Sequence, residues 1–296
     1  AAAIAAGVTR IIRHDPGIRL GDDPEHVHQS RVGTRRLRSD LRTFRPLLDP
    51  EWAAAVRAEL GWLAAALGEV RDADVLTGRL REQIRSLPGT DAKGGAGLLR
   101  RLAVQREEAR IRLLAVVGTE RYVALLDRLV EAAASPPLLL AAPIEAAAAN
   151  AGAATAGADE PLAEILRPLL RKPWKKLRRQ VKQLGHDPSD EALHQVRIAA
   201  KRLRYAAEAV ADIVGPAAKL AAAVADLQSE LGVLHDAVVA EDWLRRQAAS
   251  GPARQALVAG ELVTLQRQEQ AASREHWTKP WKRVAKRATK GHWLTG

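Results

Sequence analysis

The sequence has no cysteine and no methionine among its 296 residues. Without cysteine there is no disulfide, no thiolate metal site and no cysteine nucleophile, and a cytoplasmic address is the simplest expectation. The lack of methionine, with Ala1 in first place, raises the expectation that the natural N-terminus lies outside this sequence. Aromatic residues make up only 3%, with a single Phe. That is thin for a single-strand nucleic-acid binder, which stacks bases on aromatic platforms. Long hydrophobic runs are also missing. The most apolar stretch, residues 132–149, is broken by three prolines and Glu145, whereas a membrane span needs roughly 20 uninterrupted apolar residues. The first residues lack the basic start and apolar core of a secretory signal. No membrane partner is expected. Alternating β-branched and aromatic runs are absent as well, so no strand is expected and the chain is all-α.

What the sequence does have is positive charge. Lys and Arg number 46 against 35 Asp and Glu, a net charge of +11 with an isoelectric point near 10.4. A hydrophobic fraction of 47% and a charged fraction of 27% are those of a globular chain. Excess positive charge points to a polyanion: nucleic acid, an acidic surface or a phosphate polymer.

Period-3.6 patterning and breakers place the helices. The first covers Ala2 to Arg13, stopping at the Asp15-Pro16-Gly17 turn. The second runs from after Pro24 to Leu47. A third covers Glu51 to Leu67 or beyond, with a further stretch from Asp72 to Ser86. Others cover Leu98–Val116, Arg121–Ala134, Pro161–Leu184, Ser189–Val214, Pro216–Leu231, Asp236–Ala249 and Pro252–Thr289. Residues 135–160, Ser-Pro-Pro followed by Ala-rich sequence with Gly152 and Gly157, read as a linker.

The chain repeats itself. Residues 25–38 read EHVHQSRVGTRRLR and residues 191–204 read EALHQVRIAAKRLR, with seven of fourteen positions identical at an offset of 166. The same offset pairs Val8 with Trp174, Arg10 with Lys176, Ile11 with Leu177 and Arg13 with Arg179. LGEVRDADVL from Leu67 matches LGVLHDAVVA from Leu231 at an offset of 164. Residues 1–134 and 161–296 are therefore two copies of one helical unit.

On a helix of about 100° per residue, His28, Arg31, Arg35, Arg38 and Arg42 share one narrow stripe, and Leu37, Leu41, Phe44 and Leu48 lie opposite. In the second copy His194, Arg197, Lys201 and Arg204 form the stripe, and Val196, Leu203, Ala207, Val210 and Val214 the apolar face. Arg36 and Arg202 lie off the stripes. A solvated outer face mixes signs, because like charges one turn apart are destabilising; these stripe positions contain no acid, which points to an anionic ligand. Basic residues also crowd 171–182 (RKPWKKLRRQVK) and 279–290 (KPWKRVAKRATK), where Trp174 and Trp281 are expected to seat the helices on the core.

The blocks HQSRVGTRRLR and HQVRIAAKRLRYAAE, each followed by an LG…D element, resemble the CHAD domain, the conserved histidine α-helical domain. The resemblance spans nearly the whole chain as a single domain. It implies two four-helix bundles related by pseudo-two-fold symmetry, a basic groove or pore between them, and binding of inorganic polyphosphate at polyphosphate granules. By position it carries over His28, Arg31, Arg35, Arg36 and Arg38, then His194, Arg197, Lys201, Arg202, Arg204 and Tyr205. Tyr205 is matched by Ser39, so the copies differ there. The ExExK signature of the triphosphate tunnel domain fused to some members is absent, so no such activity is expected.

The expected polyphosphate-binding set is His28, Arg31, Arg35, Arg36, Arg38, Arg42, His194, Arg197, Lys201, Arg202 and Arg204, with Arg10, Arg13, Lys176 and Arg179. No catalytic residue, metal or cofactor is expected. His26 and His28, two apart, do not share a helix face, and an Arg-rich surface repels cations. Asp72 and Asp236 either orient the stripe arginines or cap helix starts. The rival partners are nucleic acid, for which no helix-turn-helix, zinc finger or RNA-recognition motif is present, and an acidic protein. A role as an accessory factor of polyphosphate metabolism is a further alternative. A polyphosphate-processing enzyme would need acids holding a metal beside the phosphates.

Overall fold

In the computed structural model, residues 2–21, 23–139 and 159–294 are described. Among them the ordered elements are helices: α1 (Ala2–Leu20), α2 (Pro24–Thr43), α3 (Pro50–Arg85), α4 (Gly89–Val117), α5 (Glu120–Ala134), α6 (Asp159–Leu166), α7 (Pro168–Lys182), α8 (Asp190–Ala209), α9 (Gly215–Ser250), α10 (Ala253–His276) and α11 (Thr278–Thr289). The all-α expectation holds. The described residues contain one isolated bridge, Leu48 with Leu138.

Several helix bounds differ from those expected, each for a local reason. α1 does not stop at Asp15-Pro16-Gly17 but continues to Leu20. The hydrogen bond that Pro16 cannot donate is offset by anchors around it. Asp15 accepts from Arg19 Nε at 2.9 Å and from the Tyr122 hydroxyl at 2.8 Å, and Ile18 is buried. The helix ends instead at Gly21, whose φ of 81° is open to glycine at little cost. The stretches expected on either side of Gly68 form one helix, α3, and those on either side of Gly232 form one helix, α9. Conversely, the expected helices 161–184 and 252–289 each break in two. Pro168 and Pro280 lack an N–H and crowd the carbonyl four residues back, so α6 gives way to α7 and α10 to α11.

Most of the expected linker, residues 140–158, lies outside the described residues. Its start is fixed: Asp49 N donates to Pro137 O at 3.0 Å and Leu139 N to Leu47 O at 3.1 Å.

The chain forms two compact units that interleave along the sequence. One comprises residues 1–38, 55–135 and 234–272; the other comprises 39–54, 136–233 and 273–296. In the first unit, Leu76, Leu80, Leu98, Leu102, Trp243, Leu244, Val258 and Leu262 form a buried core among α3, α4, α9 and α10. α1 crosses α2 closely, with Gly7 against Leu37 and Gly33 against Ile11 and the Gly7 carbonyl. In the second unit α7 packs on α8. Leu170, Trp174 and Leu177 of α7 are buried, as are Leu193, Val196, Leu203 and Ala207 of α8. Ser189 caps α8, its side chain accepting from Ala192 N.

The apolar faces read from the repeat are inside. Leu37, Leu41, Val196, Leu203, Ala207, Val210 and Val214 are all at most 1% exposed. Phe44 is only half-buried, because α2 ends at Thr43 and the chain turns through a short 3₁₀ segment, Arg45–Leu47.

Candidate basic binding faces

In the first unit the stripe of α2 lies against α3. His28, Arg31, Arg35 and Arg38 are half-buried and Arg36 is exposed. Glycines on α3 make room for the guanidinium groups. Arg38 Nη2 lies 3.5 Å from where a side chain on Gly61 would begin, and Arg31 lies over Gly68 at 3.8 Å. Gly61 and Gly68 are two turns apart, so they open one face of α3. Arg31 Nη1 also donates to the Gly68 carbonyl at 3.2 Å and to Asp72 Oδ1 at 2.6 Å. Burial pushes the His28 imidazole below its ordinary range, and Arg71 adds to the shift; Glu25 opposes it, and Arg35 and Arg31 lower it further. On α1 of the same unit, Arg10 and Arg13 are exposed. Both contribute to lowering His14, after burial and the neighbouring His26.

The second unit repeats part of this pattern. His194, Arg197, Lys201, Arg202 and Arg204 are half-buried on α8. Arg197 lies over Gly232 of α9 at 3.9 Å, as its counterpart Arg31 lies over Gly68. Gln29 donates to Glu25 and Gln195 to Glu191, again at matching positions. His194 is lowered by burial first and then by Arg197, with Glu191 opposing and Lys201 adding. Lys176 of α7 is lowered above all by Arg202, then by burial, Arg179 and Arg42. Arg42, at the end of α2, belongs to this unit. Cations of α8, α7 and α2 therefore all act on Lys176.

Two expectations about acids are corrected. The second stripe does contain an acid: Glu208, one turn beyond Arg204, pairs with it at 2.7 Å. It occupies the place that Arg42 holds in the first copy, so the basic stripe of α8 stops at Arg204. The capping alternative for Asp72 and Asp236 falls, because both lie well inside long helices, α3 and α9. Asp72 orients Arg31.

Arg71 was not among the candidates. In the repeat it is matched by His235, so identity at that position is lost and it does not stand out. Arg167 and Arg171, the second of them the start of the basic run 171–182, are half-buried with a buried Nε. Tyr205 is buried, with the Arg204 guanidinium 5.7 Å from its ring centre. Trp174 and Trp281 stack on each other, ring centres 5.8 Å apart. Among the described residues, no group of three or more His, Asp or Glu side chains is placed to hold a metal ion, and no helix is long and apolar enough to cross a membrane.

Known proteins resemble the chain over most of its length. It is 32% identical over 254 residues to two uncharacterized proteins of Mycobacterium tuberculosis, MT2285 of strain CDC 1551 / Oshkosh and Rv2226 of strain ATCC 25618 / H37Rv. The match covers 83% of this chain and 45% of each relative, so the chain spans less than half their length. PptA from Streptomyces chartreusis has a similar structure, with a TM-score of 0.72 and 26% identity, covering 95% of this chain and 96% of PptA. The CHAD domain from the plant Ricinus communis shares the fold, with a TM-score of 0.66 at 24% identity, covering 96% of this chain and 89% of that one. The sequence profile of the CHAD domain matches residues 2–245. Together with the all-helical fold and the doubled His-Arg helix, that match makes this chain a member of the CHAD domain family.

Proposed function

We propose that the chain binds inorganic polyphosphate along the basic faces of α2 in one unit and of α7 and α8 in the other, without turning it over, and that this binding holds the protein at polyphosphate granules. The observation that carries the reading is the pair of half-buried basic faces, His28, Arg31, Arg35 and Arg38 on α2 and His194, Arg197, Lys201 and Arg202 on α8, with Lys176 of α7 lowered above all by Arg202. Cations held together raise the energy of the folded chain, and a bound polyanion reverses the sign of that interaction. Arginine suits the ligand because its planar fork donates to two phosphate oxygens at once, and the chain has 35 Arg to 11 Lys. A phosphate polymer offers no bases to read, which fits the scarcity of aromatic side chains.

A competition assay at physiological salt tests the reading. Long-chain polyphosphate, duplex DNA and RNA are offered at equal phosphate concentration. Polyphosphate is expected to win; preference for either nucleic acid sinks the reading.

The histidines add a pH signature. Burial above all pushes His28 and His194 down from the ordinary imidazole range in the free protein, with neighbouring arginines adding to the shift. A bound polyanion favours the charged form and raises both, so binding takes up protons. Affinity is therefore expected to rise several-fold as pH falls from about 8 to 6, and a His28→Gln/His194→Gln variant should lose that rise. The free protein should show the opposite sign. Its unfolded state binds more protons below the unfolded pKa of about 6.5, so these groups cost stability as pH falls past that value. Titration calorimetry and melting curves across this range check both signs; pH-independent affinity in the parent protein removes the histidines from the ligand set.

A further inference from the structure

Helix α11 opens with Lys279-Pro280-Trp281-Lys282, and α7 carries the same tetrapeptide as Lys172-Pro173-Trp174-Lys175. The likeness continues at the same offset: Lys176 is matched by Arg283, Leu177 by Val284 and Arg179 by Lys286. Both helices belong to the second unit. Their equivalent tryptophans stack at 5.8 Å with an interplanar angle of 27°, so α11 is seated on α7 by the one side chain the two motifs place alike.

The rest of α11 divides cleanly. Pro280, Val284 and Ala288 are buried and Trp281 is half-buried, while Lys279, Lys282, Arg283, Lys286 and Arg287 are exposed, as is Lys290 just past the helix end. At about 100° per residue these six span roughly 140° of arc on the side away from Val284 and Ala288. There is no acid in residues 277–296. Arg283 reaches Asp226 of α9 at 3.0 Å, in a pair whose side chains are 59% and 57% exposed, a setting in which an ion pair contributes little. A face this one-sided lacks the sign-mixing of an ordinary solvated helix. It also lies beyond residue 245, where the match to the CHAD profile ends.

We infer that this outer face of α11 is a polyphosphate-binding surface in its own right, engaging a stretch of polymer separate from that on the α7 and α8 faces of the same unit. The inference rests on the polyphosphate reading and extends it. Cations recurring every three or four residues lie about 5–6 Å apart along a helix, a ladder that suits a chain of repeating charges. A polymer already held elsewhere on the protein meets this ladder at a raised effective concentration. An acidic lipid surface is the less suitable occupant. A helix that lies in a bilayer interface offers large apolar side chains to the lipid, and Trp281 and Val284 are used in packing.

The test uses the full chain and a variant carrying Lys279→Gln, Lys282→Gln, Lys286→Gln and Lys290→Gln, which leaves Arg283 and its partner in place. Both proteins are titrated with tripolyphosphate, with polyphosphate of about 100 phosphates and with phosphatidylglycerol vesicles, over a range of salt. For the long polymer the variant is expected to bind about tenfold more weakly or worse. Its slope of log affinity against log salt should be shallower by about 3, at about 0.7 for each lost phosphate contact. Tripolyphosphate, held on the other faces, should bind within about twofold of the parent. Unchanged affinity for the long polymer overturns the inference. So does an equal loss for both phosphates, which would make α11 part of a single site. Lost vesicle binding with polyphosphate binding intact would replace the polymer by a lipid surface. A parent protein that binds neither phosphate overturns the polyphosphate reading itself, and that failure is seen before any variant is made. If the fourfold variant melts at a lower temperature, Lys282→Gln with Lys286→Gln should show about half the change in slope.

Discussion

Arg35→Glu combined with Lys201→Glu is expected to lower polyphosphate affinity by about 10³-fold while the protein stays helical. Both residues are half-buried on the basic faces, Arg35 on α2 and Lys201 on α8. Each reversal removes an attraction to phosphate and adds a repulsion of similar size. In the bulk-water limit, where a charge pair at 4 Å is worth about 1 kcal/mol, that amounts to about 2 kcal/mol per site. Two sites then give about 4 kcal/mol, and every 1.4 kcal/mol is tenfold. Each single reversal should fall between the parent and the double variant. Calorimetric titration measures the loss, and circular dichroism with thermal melting establishes that the fold survives. Unaltered affinity in a folded double variant would move the site away from α2 and α8. Lost affinity in an unfolded one would be uninformative, so the two measurements belong together.

The steepest dependence should be on salt. A protein that neutralises phosphates releases their counterions, and log affinity falls linearly with log salt, by about 0.7 per phosphate on a single strand. With about eight cations engaged, the slope is between about −5 and −6, and affinity drops by roughly 10³-fold between 50 and 200 mM salt. Binding isotherms at four or five salt concentrations give the slope directly. A slope near zero would mean that the interaction is not carried by these charges. A shallow slope of about −1 to −2 would confine binding to one or two phosphates and exclude a polymer lying along a helix face.

The two helix faces were legible in the sequence because helical periodicity is local. Leu37 and Leu41 lie opposite His28 and Arg35 by spacing alone, and the folded chain buries both leucines fully. The pairing of Arg204 with Glu208 is equally legible, since residues four apart on a helix are neighbours. Other features were hidden for identifiable reasons. Gly61 and Gly68 matter because guanidinium groups lie over them, and a glycine within a helix gives no sign of what approaches it from another helix. Arg71 escaped notice because its repeat partner is His235. Pro16 marks a helix end by local pattern, and the helix continues through it with the tie between Asp15 and Tyr122, 107 positions apart, and the burial of Ile18, neither of which spacing reveals.

By itself, then, the sequence determined that this protein is all-α, that its central helix occurs twice, and that each copy sets a basic stripe against an apolar face. The helical pattern and its two faces depend on residues a few positions apart, and the repeat on setting one stretch of the sequence beside another. Only the tertiary structure decided which charges share a neighbourhood. Arg42 lies far along the chain from Lys176 and Arg202, and its charge acts on Lys176 because one compact unit draws together residues 39–54 and 136–233. Electrostatic interaction depends on distance through space and not on separation along the chain, so a stripe could be read from spacing while a site required the packing of helices.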